Sequence, residues 1–323
     1  MLINTIVKGI GMYLPEKILT NDDISEFVNT SHEWIYERTG IRQRHIASED
    51  QMTSDLAHMA ALDAIQDANI NAADIDLIIL ATSTPDQVFP STAVKLQDIL
   101  NIKSGAAFDI HAVCSGFIYA LSTADNFIKS GKYKRILVVG SEVYSRILDW
   151  KDRSTCVLFG DASGAFILEG QNKNSISSGI IDSVIRSDGQ YRGKLYCDGG
   201  PSMKSSTDNF INMDGKEVYK HAVEKQTAIV EELLDSAGVD IDAIDWFVPH
   251  QANLRILQTT AKKLKLKEEK IIVTVDKHAN TSSASIPVAM ATAVKDGKIK
   301  RGDMLLLEAF GAGFTWGAVL LRY

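Results

Sequence analysis

The sequence is short of cysteine, of unbroken apolar runs and of positive charge. Its three cysteines, Cys114, Cys156 and Cys197, are irregularly spaced and make neither a disulfide framework nor a zinc site. A reducing compartment, the cytoplasm, is the expected location. No charged leader precedes an apolar core at the N-terminus, and the long apolar tract near the C-terminus, Met304 to Leu321, is broken by Glu308 and several glycines. Neither a signal peptide nor a membrane span is expected. The formal charge of −7 argues against general affinity for nucleic acid or anionic membrane, both of which favour broad basic surfaces.

One stretch runs against that balance. Between Arg255 and Lys270 the chain carries Arg255, Lys262, Lys263, Lys265, Lys267 and Lys270 against only Glu268 and Glu269. On a helix, Arg255, Lys262 and Lys263 share a face, which is either a dock for an acidic partner or a solvated surface.

At 323 residues and 45% apolar composition the chain can build one large domain or two fused ones. Internal similarity selects the second. Asp67 to Leu80 aligns without gaps on Ser236 to Pro249, an offset of 169 residues, each reading as a helix end, an acidic turn and a buried strand. Asp109 to Ala112 matches Asp276 to Ala279 at an offset of 167, and Gly131 to Arg135 matches Gly297 to Arg301 at 166. Three pairs in the same order imply two halves on one strand–helix plan. The expected organisation is therefore two duplicated α/β halves, residues 1–172 and 173–323, joined in the polar stretch Gln171 to Ser178.

Cys114 lies in the run DIHAVCSGFIYAL, where a buried strand is expected to pass directly into a helix. Phe117, Leu121, Ala124 and Ile128 form the helix's apolar stripe, and Gly131 supplies its stop. A thiol at a helix N-terminus has its thiolate stabilised by free N–H groups, giving a nucleophile near neutral pH. The alternative is a small buried packing residue, the reading given to Cys156 and Cys197. The repeat brings the segment Asn280-Thr281 toward Cys114 across a pseudo-twofold axis, with a strand expected before each. His250 closes another buried strand, Ile244 to Val248, ahead of a helix starting near Leu254. Ligands of open α/β sheets collect at such carboxyl ends.

At these residues the chain resembles the β-ketoacyl-[acyl-carrier-protein] synthase III family, the condensing enzymes that start bacterial fatty acid synthesis. The resemblance covers essentially the whole chain, and its most specific pieces are NTSHEWIYERTGIRQRHI (Asn29 to Ile46), DIHAVCSGFIYAL, VPHQANLRI around His250, HANTSSAS around Asn280 and EAFGAGFTWG (Glu308 to Gly317). It implies a thiolase-like fold of layered αβαβα architecture. It implies a decarboxylating condensation of a short acyl-coenzyme A primer, acetyl-coenzyme A first, with malonyl-acyl carrier protein. Cys114 is then the acylated nucleophile, and His250 and Asn280 hold the malonyl thioester carbonyl. Backbone N–H groups of Cys114 and Ala312 form the oxyanion hole. Trp34 and Arg153 sandwich the adenine of coenzyme A, Arg38 lies near its phosphates, and Asn253 stands with them near the active-site water. Phe89 reaches the acyl pocket of a neighbouring subunit in a homodimer. Lys220, Arg255, Lys262 and Lys263 receive the acidic carrier protein. The resemblance implies no metal and no cofactor, coenzyme A thioester being a substrate.

The chain departs from the family pattern at three places. Ala312 replaces the middle of three glycines, which is harmless if its φ is negative and strained if positive. Ala279 replaces the glycine before the asparagine. His111 stands where a small residue is usual and is expected to be a hydrogen-bonded structural histidine. The turn Phe159 to Gly164 lacks the lysine of a phosphate loop and reads as structural. Rival readings are a cysteine thioester hydrolase, a non-catalytic carrier-binding protein, and a secondary-metabolic condensing enzyme with a longer or aromatic primer.

Overall fold

The computed structural model describes residues 3–172, 178–203 and 209–323. The chain opens with β1 (Ile3–Tyr13) and the pair β2 (Lys17–Thr20) and β3 (Gln43–Ile46), which flank the short helices α1 (Asn21–Ser25) and α2 (His32–Thr39). It continues through α3 (Thr53–Ala68), β4 (Leu77–Ala81), α4 (Thr92–Ile99), β5 (Ala106–Ile110), α5 (Gly116–Lys129), β6 (Arg135–Glu142) and β7 (Ala162–Asn172). Then come β8 (Gly179–Ser187), the small pair β9 (Leu195–Cys197) and β10 (Ile211–Met213), α6 (Gly215–Ala237) and β11 (Trp246–Pro249). The chain ends with α7 (Leu254–Lys263), α8 (Val275–His278), α9 (Ser285–Lys295), β12 (Met304–Gly311) and β13 (Thr315–Arg322).

Two large sheets result, ordered β1-β7-β6-β4-β5 and β8-β13-β12-β11. The second repeats the first strand for strand up to β11. Strands β4 and β11 start 169 residues apart, as do β6 and β12, α5 and α9, and the 3₁₀ turns Val113–Ser115 and Ser282–Ala284. Side-chain alternation explains the layering. In β4, Leu77, Ile79 and Ala81 face one core while Ile78 and Leu80 face another; in β12, Leu305, Leu307 and Ala309 join that first core and Met304 and Leu306 a third. Both sheets bury two faces, which is why their strands read as continuous apolar runs. Between them lie α5 and α9; α3 covers the first sheet and α6 the second. This is the thiolase-like αβαβα arrangement of an α/β fold.

One expected strand is absent. Residues 275–278 form the single helical turn α8, with Ala279 as its C-cap, so the match of Asp109 to Ala112 with Asp276 to Ala279 is not a structural equivalence. The counterpart of β5 is reduced to one bridge, Phe247 to Ile271. The cause is the Gln251 side chain, whose Oε1 accepts the N–H groups of Thr274 and Val275 (2.8 and 3.1 Å) while its Nε2 donates to the carbonyls of Pro249 and Ile272. It takes up backbone groups that a strand ladder would otherwise pair. The expected join, Gln171 to Ser178, includes residues 173–177, which lie outside the described residues; β7 ends at Asn172 and β8 begins at Gly179.

Candidate active site

Cys114 sits in the 3₁₀ turn Val113–Ser115 that opens α5, and is buried. Val113 before it takes φ +50°, a conformation a β-branched residue rarely adopts, and Ser282, its counterpart 169 residues later, takes φ +49°. The two tight turns meet where the ends of α5 and α9 face each other. Glycine makes the approach possible: a Cβ on Gly311 would stand 2.9 Å from the Cys114 backbone nitrogen, and one on Gly140 would stand 2.4 Å from the Ser283 carbonyl oxygen. Thr315 Oγ1 ties the ensemble by donating to the carbonyls of Ala112 and Ala312 (3.1 and 3.0 Å).

The thiol is not the near-neutral nucleophile expected of a helix N-terminus. Burial pushes it up to about 12; hydrogen bonds from Ser282, the Cys114 backbone and Asn280 oppose this, while the charge of Glu142 adds to it. Burial therefore favours the thiol form of Cys114.

Asn280 is held by its backbone, which donates to Leu158 O (2.9 Å) and accepts from Gly160 N–H (3.0 Å). The glycine turn near residue 160 is thus structural, as expected. Asn280 Oδ1 accepts the Ser282 N–H at 2.8 Å, so its NH₂ is the group left to donate to the thiol. His250 lies at the end of β11, its N–H donating to Glu308 O at 2.7 Å. Its ring Nδ1 is 2.6 Å from Ser285 Oγ. That hydroxyl also faces the Gln251 N–H at 3.4 Å, so the network is satisfied with Ser285 donating to Nδ1 and the ring hydrogen on Nε2. Burial lowers His250 to about 3, keeping the imidazole neutral.

Sequence reasoning missed a buried polar cluster beside these groups. Glu142, the last residue of β6, is fully buried. It accepts from Thr84 Oγ1 (2.8 Å), Ser283 Oγ (2.8 Å), Ser83 N–H (3.0 Å), Ser83 Oγ (3.1 Å) and Thr82 Oγ1 (3.3 Å). Tyr144 stacks on Phe159 at 5.0 Å, and its hydroxyl touches Ser83 and Ser282. A carboxylate closing an otherwise apolar strand run was the available signal.

The outer residues are distributed as follows. Trp34 lies between two guanidinium groups, Arg38 at 4.4 Å and Arg153 at 4.5 Å from its ring centroid. Arg153 also donates to Asn29 O at 2.9 Å, so in this structure the face of Trp34 expected to take adenine carries the Arg153 guanidinium. Asn253 is engaged as the N-cap of α7: Oδ1 accepts the Arg255 N–H (2.9 Å) and Nδ2 donates to Arg38 O (3.0 Å). Phe89 is 82% exposed. Lys220 on α6 and Arg255, Lys262 and Lys263 on α7 are exposed on adjacent helices linked by the Tyr219–Thr259 hydroxyl contact at 3.0 Å. Ala312 has a negative φ, so its turn tolerates the side chain, whereas buried Ala279 has φ +57°. His111 is exposed rather than structural, and Cys197 is exposed rather than packed; only Cys156 is buried as expected.

Known proteins share this fold and much of this sequence. The family model described as 3-oxoacyl-[acyl-carrier-protein (ACP)] synthase III matches residues 108–189, and that for its C-terminal part matches residues 234–323. The chain is 54% identical over 324 residues to the β-ketoacyl-[acyl-carrier-protein] synthase III of Bradyrhizobium diazoefficiens, covering 99% of each. It superimposes on the crystal structure of the Aquifex aeolicus 3-oxoacyl-[acyl-carrier-protein] synthase III with TM-score 0.93 and 46% identity, covering 99% of this chain and 100% of that one. The priming β-ketosynthase of the R1128 polyketide pathway gives TM-score 0.93 at 32% identity, covering 98% and 96%. The fold is common to both kinds of enzyme, and the identities of 54% and 46% are with synthases of the first kind. With identity of this level along its full length, the chain belongs to the β-ketoacyl-[acyl-carrier-protein] synthase III family of condensing acyltransferases.

Proposed function

We propose that Cys114, His250 and Asn280 divide between them the decarboxylating condensation with which this family initiates fatty acid synthesis. The thioester carbonyl of a short acyl-coenzyme A, acetyl-coenzyme A first, enters with its oxygen toward the N–H groups of Cys114 and Ala312. Sulfur attacks, coenzyme A leaves, and the primer rests on Cys114. Malonyl-acyl carrier protein follows. Its thioester oxygen takes hydrogen bonds from Asn280 Nδ2 and His250 Nε2, which stabilise the enolate formed as carbon dioxide departs. The enolate attacks the acyl carbonyl, and the Cys114 sulfur is the leaving group.

The observation that carries this reading is a thiol hydrogen-bonded by an amide whose oxygen is already engaged, together with an imidazole at the end of β11 that burial keeps neutral. A neutral ring with hydrogen on Nε2 is a donor, which the enolate requires. Short primers are favoured by the Tyr144 and Phe159 rings, which pack with Val113 beside the nucleophile. The exposure of Phe89 and the unpaired outer edge of β5 support a homodimer in which Phe89 enters the partner's acyl pocket. Lys220, Arg255, Lys262 and Lys263 form the carrier dock, and Trp34, Arg38 and Arg153 hold coenzyme A once Arg153 has moved. Asn253 shapes that site through its bond to Arg38. The reading divides the chain at residues 1–172 and 173–323, calls for no metal or cofactor, and places the enzyme in the cytoplasm. No helix among the described residues is long and apolar enough to cross a membrane.

Partial reactions test the roles. Cys114→Ala should form no acyl-enzyme. His250→Ala and Asn280→Ala should form it normally yet condense about 10²–10³-fold more slowly, the typical cost of one oxyanion donor. Loss of acylation in His250→Ala would overturn the division of labour.

A further inference from the structure

The roles assigned above leave one requirement unmet. Attack by a buried thiol releases a proton, and His250 is a poor base, lowered by burial to about 3. Cys114 itself is only 4% exposed, so bulk water has little access. A different path leads away from the sulfur. Besides Asn280, the thiol hydrogen-bonds the hydroxyl of Ser282. Ser282 Oγ donates to Tyr144 Oη at 3.1 Å, Tyr144 Oη is 3.1 Å from Ser83 Oγ, and Ser83 Oγ donates to Glu142 Oε1 at 3.1 Å. With Ser282 donating to Tyr144 and Ser83 to Glu142, and with the Tyr144 hydroxyl turned to Ser83, each hydroxyl is left free to accept from the group before it, which is the arrangement a transfer from sulfur to carboxylate requires. The end group only accepts. Among the described residues, five hydrogen bonds run into Glu142 from hydroxyls and a backbone N–H, and none comes from a cation. A fully buried carboxylate without a cationic partner is a costly feature, and condensation itself gives it no task.

We propose that Ser282, Tyr144 and Ser83 relay the Cys114 thiol proton to Glu142 during acylation and return it after condensation. The inference rests on Cys114 being the acylated nucleophile. In the first half-reaction the S–H bond breaks as the sulfur–carbon bond forms, each hydroxyl passes its proton along, and Glu142 becomes a neutral acid. Coenzyme A departs as the thiolate and takes a proton from water. In the second half-reaction the carbon–sulfur bond breaks, its electron pair stays on sulfur, and the proton returns from Glu142. Thiol and carboxylate are both restored. Burial raises Glu142 above the ordinary carboxylate range, against the donors that hold it down, and so increases its proton affinity. Ser282 touches the reacting sulfur; Tyr144, Ser83 and Glu142 act through it as positioning and relay groups.

Tyr144→Phe breaks the relay while keeping the ring against Phe159, and Glu142→Gln removes the acceptor while keeping its shape. The measurements are the single-turnover rate of acylation by acetyl-coenzyme A, and the rate of carbon dioxide release from malonyl-acyl carrier protein by enzyme acylated to completion beforehand. Both variants should acylate at least about tenfold more slowly, a modest share of what proton transfer contributes in enzymes. Carbon dioxide release, which uses His250 and Asn280, should keep the parent's rate. Glu142→Asp, with its carboxylate retained, should recover part of the lost acylation. Acylation at the parent's rate in Tyr144→Phe overturns the relay, as does equal slowing of both steps, which marks a purely structural role. If Glu142→Gln does not fold, Tyr144→Phe alone decides. An acyl adduct that persists in Cys114→Ala overturns instead the nucleophile assignment beneath it.

Discussion

Ala279 occupies a backbone conformation that alanine rarely adopts, φ +57° and ψ −159°, one residue before Asn280. Glycine reaches this region without penalty, and the cost to other residues is on the order of 1–3 kcal/mol. Ala279→Gly should therefore stabilise the fold by about 1 kcal/mol after glycine's greater unfolded-state entropy is allowed for, read as a raised midpoint in urea unfolding. A lowered midpoint would mean that the surrounding packing, and not the dihedral, sets the energy at this site. The same scale shows what a sequence does and does not expose. Cys114, His250 and Asn280 stand out as candidates in the sequence because each lies in a distinctive local run. Glu142, Tyr144, Ser83 and Ser282 do not, because residues from three separate segments meet only after both halves fold. The thiol's acidity was misjudged for a related reason: a helix N-terminus is visible in sequence, but the burial that outweighs it is not.

Among the elements, α7 illustrates how one side chain serves two of them. Asn253 caps α7 and bridges to Arg38 O at the end of α2, so the helix bearing Arg255, Lys262 and Lys263 is fixed relative to the segment bearing Trp34 and Arg38. Asn253→Ala should cost about 1 kcal/mol through the lost cap. It should also raise KM for acyl-coenzyme A more than it lowers kcat, which steady-state kinetics would register. An unchanged KM would confine Asn253 to capping. The repeat was readable where helices, turns and strands kept the 169-residue register. It failed at α8, because Gln251 satisfies with one side chain the backbone groups that a strand would have paired. No propensity at residues 276–279 announces a hydrogen bond from residue 251.

For the whole molecule, the layered architecture was legible because apolar strands covered on both sides and a duplicated plan together leave few ways to assemble the chain. Burial within those layers also fixes the response to acid. Two histidines are held neutral by burial, His250 at about 3 and His278 at about 4, against 6.5 as the ordinary value. The unfolded chain thus binds more protons than the folded one between pH 6.5 and the folded values, and stability rises with pH across that window. Each histidine contributes about 1.4 kcal/mol per pH unit there. Urea midpoints should fall steadily from pH 6.5 to pH 4.5, and His278→Gln should make the decline shallower. A profile unaffected by that substitution would place the acid sensitivity elsewhere.

The central claim is that the primer is carried on Cys114 and consumed by condensation. The most direct test is intact-protein mass spectrometry after incubation with a panel of acyl-coenzyme A thioesters, followed by addition of malonyl-acyl carrier protein. The account predicts an acetyl adduct that maps to Cys114 and disappears as acetoacetyl-acyl carrier protein forms. An adduct formed only with longer or aromatic primers would contradict the initiating role, and the absence of any adduct would contradict the covalent mechanism itself.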